Sequence, residues 1–173
     1  MTYEVHMDDF SSYDYDQVNM VWTDGDSSVF IGAEDVITPH FIKDNSIKIV
    51  ITLNQNPIII PEVVAKTNAR HFILPFPDAD PQEMTEQDSI NAAEAVARLI
   101  TAIETKQNCL IHCAAGINRS PSVTYTALEI LGKYSTAYEA HYYIKSTRYI
   151  VGYREDFSEW IKGSYRKYYP RGP

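Results

Sequence analysis

The residues best suited to chemistry form one run, Ile111-His112-Cys113-Ala114-Ala115-Gly116-Ile117-Asn118-Arg119-Ser120. An apolar stretch leads into Cys113 and helical spacing follows Arg119, so the run falls where a strand ends and a helix begins. Loop amides and first-turn N–H groups at such a junction lack intrahelical partners and converge on an anion the size of phosphate. Gly116 lets the backbone curl so that those amides meet. The same field favours the thiolate of a cysteine at the base of the pocket, which makes Cys113 a nucleophile. Arg119, six residues on, can fold back and grip two phosphate oxygens through its planar fork, a task lysine would do poorly. Ser120 can hydrogen-bond the sulfur as it departs from phosphorus, and His112 is placed to order the loop rather than to exchange protons. Ala114, Ala115, Gly116, Ile117 and Asn118, together with Arg119, are the expected phosphate-binding surface.

Transfer of a phosphoryl group to sulfur also requires a proton for the leaving oxygen, supplied by a carboxylic acid on a loop that can close over the substrate. Pro75-Phe76-Pro77-Asp78-Ala79-Asp80-Pro81 is such a loop, kept out of helix and sheet by three prolines. Asp78 is the first choice for the acid and Asp80 the second, with Phe76 and the prolines expected to shield the carboxyl from water.

These groups need a scaffold, and the chain supplies alternating elements. Short strands are expected at 29–31, 47–53, 70–74 and 109–112, the second rich in Ile and Val as a strand covered on both faces would be. Helices are expected at 39–45, opened by Thr38 and Pro39, and at 62–68, 85–105, 120–132, 136–149 and 156–167. Strands alternating with helices give an α/β domain with a mainly parallel sheet of four or five strands and helices on both sides. Residues 1–27 are acidic and aperiodic and read as an irregular arm ahead of one catalytic domain at 28–173.

Composition narrows the class of protein. The chain has 173 residues and a formal charge of −8, which disfavours a nucleic-acid surface. No apolar run reaches the roughly eighteen residues a membrane helix requires, and the opening lacks a signal-peptide pattern. The expectation is an intracellular protein, cytoplasmic or nuclear, that does not engage membranes. Its two cysteines, Cys109 and Cys113, would lie roughly 13 Å apart on one strand, too far for a disulfide, so both are expected as free thiols. His6, His40, His71 and His141 show no metal-ligand spacing, and neither a metal nor a cofactor is expected.

His112-Cys113-Ala114-Ala115-Gly116-Ile117-Asn118-Arg119-Ser120 resembles the signature loop of dual-specificity phosphatases in the cysteine-dependent protein tyrosine phosphatase superfamily. Phe76-Pro77-Asp78 is similar to the Trp-Pro-Asp of the classical tyrosine phosphatases, and Arg148 with Phe157 resembles the pattern ahead of the family's final helix. The resemblance covers about 29–167. It implies two-step, metal-free hydrolysis of phosphoprotein substrates bearing phosphotyrosine and phosphoserine or phosphothreonine. Two relatives within the superfamily are alternatives. RNA 5′-phosphatases share the Asn118-Arg119 pair but carry a histidine where this chain has Ala115; phosphoinositide phosphatases use loop lysines, and this loop has none. A third alternative is an inactive phosphate-binding module. One departure stands out: the family's Pro-Asn pair before the final helix is replaced by Gly152-Tyr153-Arg154-Glu155. The sequence leaves the oligomeric state open.

Overall fold

The computed structural model describes residues 17–173. Five strands, β1 (Asn19–Thr23), β2 (Ser28–Ala33), β3 (Ile47–Thr52), β4 (Arg70–Ile73) and β5 (Asn108–Cys113), form one sheet in the order β1-β2-β5-β3-β4. Only the β1–β2 pair is antiparallel; the others are parallel, with β5 in the centre between β2 and β3. Helices connect the parallel strands: α1 (Pro39–Asp44), α2 (Ile60–Ala65) and α3 (Glu86–Glu104), followed after β5 by α4 (Arg119–Ile130), α5 (Ala137–Ile144) and α6 (Glu155–Tyr168).

Strand periodicity divides the core. Val29, Ile31, Ile49, Ile51, Cys109 and Ile111 face a large cluster that includes Val96, Leu99, Val123, Leu128, Phe157 and Ile161 from α3, α4 and α6. Phe30, Val50 and Leu110, the alternate residues, pack with Ile42 and Val64 from α1 and α2 on the opposite face. Cys113 belongs to the first face and His112 to the second, so neighbouring side chains at the end of β5 serve different jobs.

The expected boundaries shift in three places. The segment read as an irregular arm contains β1: Val21 is buried, and the strand pairs with β2 through a register break between Met20 and Trp22. The remainder of that arm, 1–16, lies outside the described residues. The helix expected at 62–68 begins at Ile60, because Pro61 sits inside its first turn, where the missing N–H costs nothing, rather than ahead of it. The helix expected at 136–149 ends at Ile144. Tight turns follow, with Thr147 N–H and Arg148 N–H both donating to the Ile144 carbonyl, and they carry the wholly buried Arg148 toward the sheet.

Candidate active site

The segment from Ala114 to Asn118 leaves the C-terminal end of β5 and enters α4. Its carbonyls are all taken by the surrounding scaffold. Ala114 accepts from Glu34 N–H at 3.2 Å, Ile117 from Gly152 N–H at 2.8 Å, and Ala115 and Gly116 from the Arg148 guanidinium at 3.0 Å each. In a trans peptide the N–H of the next residue points opposite to the carbonyl. The amides of Ala115, Gly116, Ile117 and Asn118 are therefore turned inward, and among the described residues none donates to a protein acceptor. Four inward amides at a helix N-terminus make an anion cradle.

Gly116 is required for this curl. Its φ is +69°, and a Cβ there would come 2.6 Å from Arg148 Nη2 and 3.0 Å from the Gly32 carbonyl. Arg148 is the scaffold's main strut. Besides holding two loop carbonyls it donates to the Gln17 carbonyl at 3.1 Å and to Asn19 Oδ1 at 2.7 Å, tying the loop to the start of β1. With 0% exposure, its guanidinium orients the carbonyls of Ala115, Gly116 and Gln17 and the Asn19 side chain that accept from it.

The Cys113 thiol is 3% exposed, and its Sγ is 3.2 Å from Ser120 Oγ, within hydrogen-bonding reach. Cys109 is buried four residues earlier with its thiol pushed far up by loss of hydration, and both are free thiols. His112 sits on the other face in a chain whose polarity can be deduced. A carbonyl only accepts, so His112 Nδ1–H donates to the Cys113 carbonyl at 3.2 Å. Burial lowers the pKa of His112 to about 4, which keeps the ring neutral and makes Nε2 an acceptor. The Thr52 hydroxyl therefore donates to Nε2 at 2.8 Å and accepts from His71 Nε2–H at 2.7 Å. His71, which shows no metal-ligand spacing in the sequence, ends this chain from the His112 ring through Thr52.

Arg119 is held by two main-chain carbonyls. Its Nη1 donates to the Phe76 carbonyl at 3.1 Å and the Leu53 carbonyl at 3.4 Å, the end of β3 on one side and the proline-rich loop on the other. Asp78 is brought to the cradle: Asn118 Nδ2 donates to its Oδ2 at 3.2 Å, and Arg154 Nη1 to its Oδ1 at 3.1 Å. Asp80 makes no contact with the Cys113–Ser120 run; its 72% exposed side chain faces Arg154 at 3.6 Å. The expectation that Phe76 shields the acid is corrected. Phe76 is turned wholly into the core against Phe157 and Trp160, where it anchors the loop, and the Asp78 carboxylate faces Asn118 and Arg154 instead. Together these groups can present a sulfur nucleophile, an anion cradle, a guanidinium and a carboxyl group to one phosphate monoester.

Residues 29–167 match the family model for the catalytic domain of dual-specificity phosphatases. The chain belongs to the dual-specificity phosphatase family. It is a phosphoric monoester hydrolase of the protein phosphatase kind. No curated protein matches it in sequence. Solved structures share the fold at low identity. PTPMT1 in complex with PI(5)P aligns with a TM-score of 0.64 and 21% identity, over 83% of this chain and 93% of that one. Human DUSP28 gives 0.66 and 14%, over 87% and 94%. The human tyrosine phosphatase-like serine/threonine/tyrosine-interacting protein gives 0.63 and 17%, over 88% and 98%.

In this dual-specificity phosphatase Arg154 reaches loop 75–81 from the altered stretch before the final helix. The altered stretch 152–155 is stapled to the signature loop through Gly152, whose N–H binds Ile117 and whose carbonyl accepts from the Tyr125 hydroxyl at 2.9 Å. Sequence reading noted the replacement without finding what the arginine does. Thr52 and Glu34 carried no signal either, because their contacts arise only from the adjacency of β2, β5 and β3. Among the described residues no group of three or more His, Cys, Asp or Glu is placed to hold a metal ion, and no helix is long and apolar enough to cross a membrane.

Proposed function

We propose that this phosphatase hydrolyses phosphotyrosine and phosphoserine or phosphothreonine on proteins through a phosphocysteine at Cys113. The observation that carries the reading is the Cys113 sulfur at the start of the loop with four inward amides, with the Ser120 hydroxyl at 3.2 Å. Cys113 thiolate attacks phosphorus as the bond from phosphorus to the leaving oxygen breaks, and that oxygen takes the proton of Asp78. Arg119 leaves the Phe76 and Leu53 carbonyls to hold two equatorial oxygens. A water molecule then attacks the phosphocysteine and gives its proton to the Asp78 carboxylate. The phosphorus–sulfur bond breaks toward a thiolate that accepts from Ser120, and inorganic phosphate departs.

The substrate class follows from cations. Besides Arg119, the signature loop presents Ala114, Ala115, Ile117 and Asn118, and the neighbouring Arg154 is committed to the carboxylates of Asp78, Asp80 and Asp156. One reacting phosphate is matched by one arginine. A multiply phosphorylated inositol ring would bring further charges for which the signature loop has no second cation; PI(5)P, with which one structural neighbour was solved, carries a single phosphomonoester on its ring and must be compared directly. We place the protein in the cytoplasm or nucleus, where phosphoproteins and reduced thiols coexist. The test is a panel, run in EDTA, of phosphotyrosine and phosphothreonine peptides, 5′-triphosphorylated RNA and phosphatidylinositol phosphates. The phosphopeptides are expected to have the highest kcat/KM; a lipid or RNA preference would overturn the assignment.

A further inference from the structure

Loop 75–81 is gripped at its start, where Asn91 Nδ2 donates to the Pro75 carbonyl at 2.8 Å and Arg119 to that of Phe76. At its far end it runs into a short turn closed by Glu83 N–H on the Asp80 carbonyl. The stretch between, which carries Asp78, depends on two side chains: Asn118, through a single hydrogen bond, and Arg154. Arg154 uses the whole of its fork. Nη1 binds Asp78 Oδ1 at 3.1 Å, Nη2 binds the Ala79 carbonyl at 3.3 Å and lies 3.6 Å from Asp80, and Nε lies 3.8 Å from Asp156. The guanidinium carbon rests 4.9 Å from the centre of the buried Phe157 ring, which fixes the height of the fork above α6. The backbone leading to it is pinned at Gly152 to Ile117 and Tyr125. One residue thus joins the acid-bearing loop to the base of α6 and, two residues upstream, to the phosphate cradle.

We propose that Arg154 is a positioning residue that clamps the Asp78 loop closed over the signature loop, and so governs whether the leaving oxygen receives its proton. The proposal rests on Asp78 being the general acid. A bidentate arginine suits the task, because a lysine ammonium could not hold a carboxylate and a main-chain carbonyl in one fixed plane. At 31% exposure the Arg154 side chain is accessible to water.

The chemistry supplies a readout that a merely structural role would not move. Dinitrophenolate leaves phosphorus unaided, whereas phenolate needs the proton. For Arg154→Ala, kcat/KM on phenyl phosphate is expected to fall about tenfold or more, while that on 2,4-dinitrophenyl phosphate changes less than about twofold. Asp78→Asn, run in parallel, is expected to show the same ranking with larger amplitude. Arg154→Lys keeps the charge and stem but not the fork. It is expected to show the ranking at reduced amplitude, and it takes the place of the alanine variant if that one is unfolded by circular dichroism. Losses independent of the leaving group in the Arg154 variants, beside a leaving-group-dependent loss in Asp78→Asn, would overturn the clamp and leave the acid standing. A leaving-group-independent loss in Asp78→Asn would remove the acid assignment and the clamp with it.

Discussion

At the scale of single residues, the site works because carbonyls are removed from the pocket. Arg148, Glu34 and Gly152 draw the oxygens of residues 114–117 outward, which leaves only N–H dipoles facing in. Gly116 is a position where this arrangement tolerates no side chain. Gly116→Ala is expected to cost about 1–2 kcal/mol from the left-handed backbone alone. It should also lower turnover by about two orders of magnitude, as loss of a preorganised donor does, because the new Cβ displaces Arg148. Thermal melts and aryl phosphate kinetics on the same sample check both. Cys113, Arg119, Ser120 and Gly116 were legible in the sequence because the spacing itself encodes the loop. Arg148 was legible only as part of a family pattern, and Thr52, His71 and Arg154 not as site residues, since each acts across a fold contact with no local signature.

At the scale of elements, each end of a strand or helix near the site has a defined cause. The long helix α3 begins at a capping box in which Thr85 Oγ1 accepts from Asp88 N–H and the Asp88 carboxylate accepts from Thr85 N–H. Thr85→Ala is expected to destabilise the protein by about 1 kcal/mol, and to lower the melting temperature by about 3 °C, without altering kcat. A large change in kcat would show instead that this cap also holds loop 75–81. The parallel core and α3 were readable because β-branched runs and 3.6-residue spacing are local properties. The strand β1 was not: Asn19-Met20-Val21-Trp22-Thr23 lies in an acidic stretch, and only pairing with β2 and the burial of Val21 make it a strand. Nor could the shortened α5 be foreseen, since its end is set by where Arg148 must go.

At the scale of the whole molecule, stability and the site are linked through buried histidine. Burial lowers the pKa of His112 from 6.5 to about 4, and it lowers those of His71 and His141 as well. Between pH 6.5 and 4 the unfolded chain binds a proton at His112 that the native protein refuses, so stability is full above this window and lost as pH falls through it. His112 alone contributes about 3 kcal/mol to that loss. Urea unfolding at a series of pH values is expected to show the decline; a flat profile from pH 6.5 to 4 would contradict the burial of a neutral ring. The α/β class followed from the order of elements, whereas the neutrality of this ring needed the three-dimensional adjacency of β5, β3 and β4.

The phosphocysteine at Cys113 is a covalent bond that can be trapped by rapid quenching of turnover on an aryl phosphate in EDTA, followed by peptide mass spectrometry. A phosphoryl group on the peptide containing Cys113, absent together with turnover in Cys113→Ser, is the expected result. Turnover that survives in Cys113→Ser, or a phosphoryl group on another residue, would contradict the account.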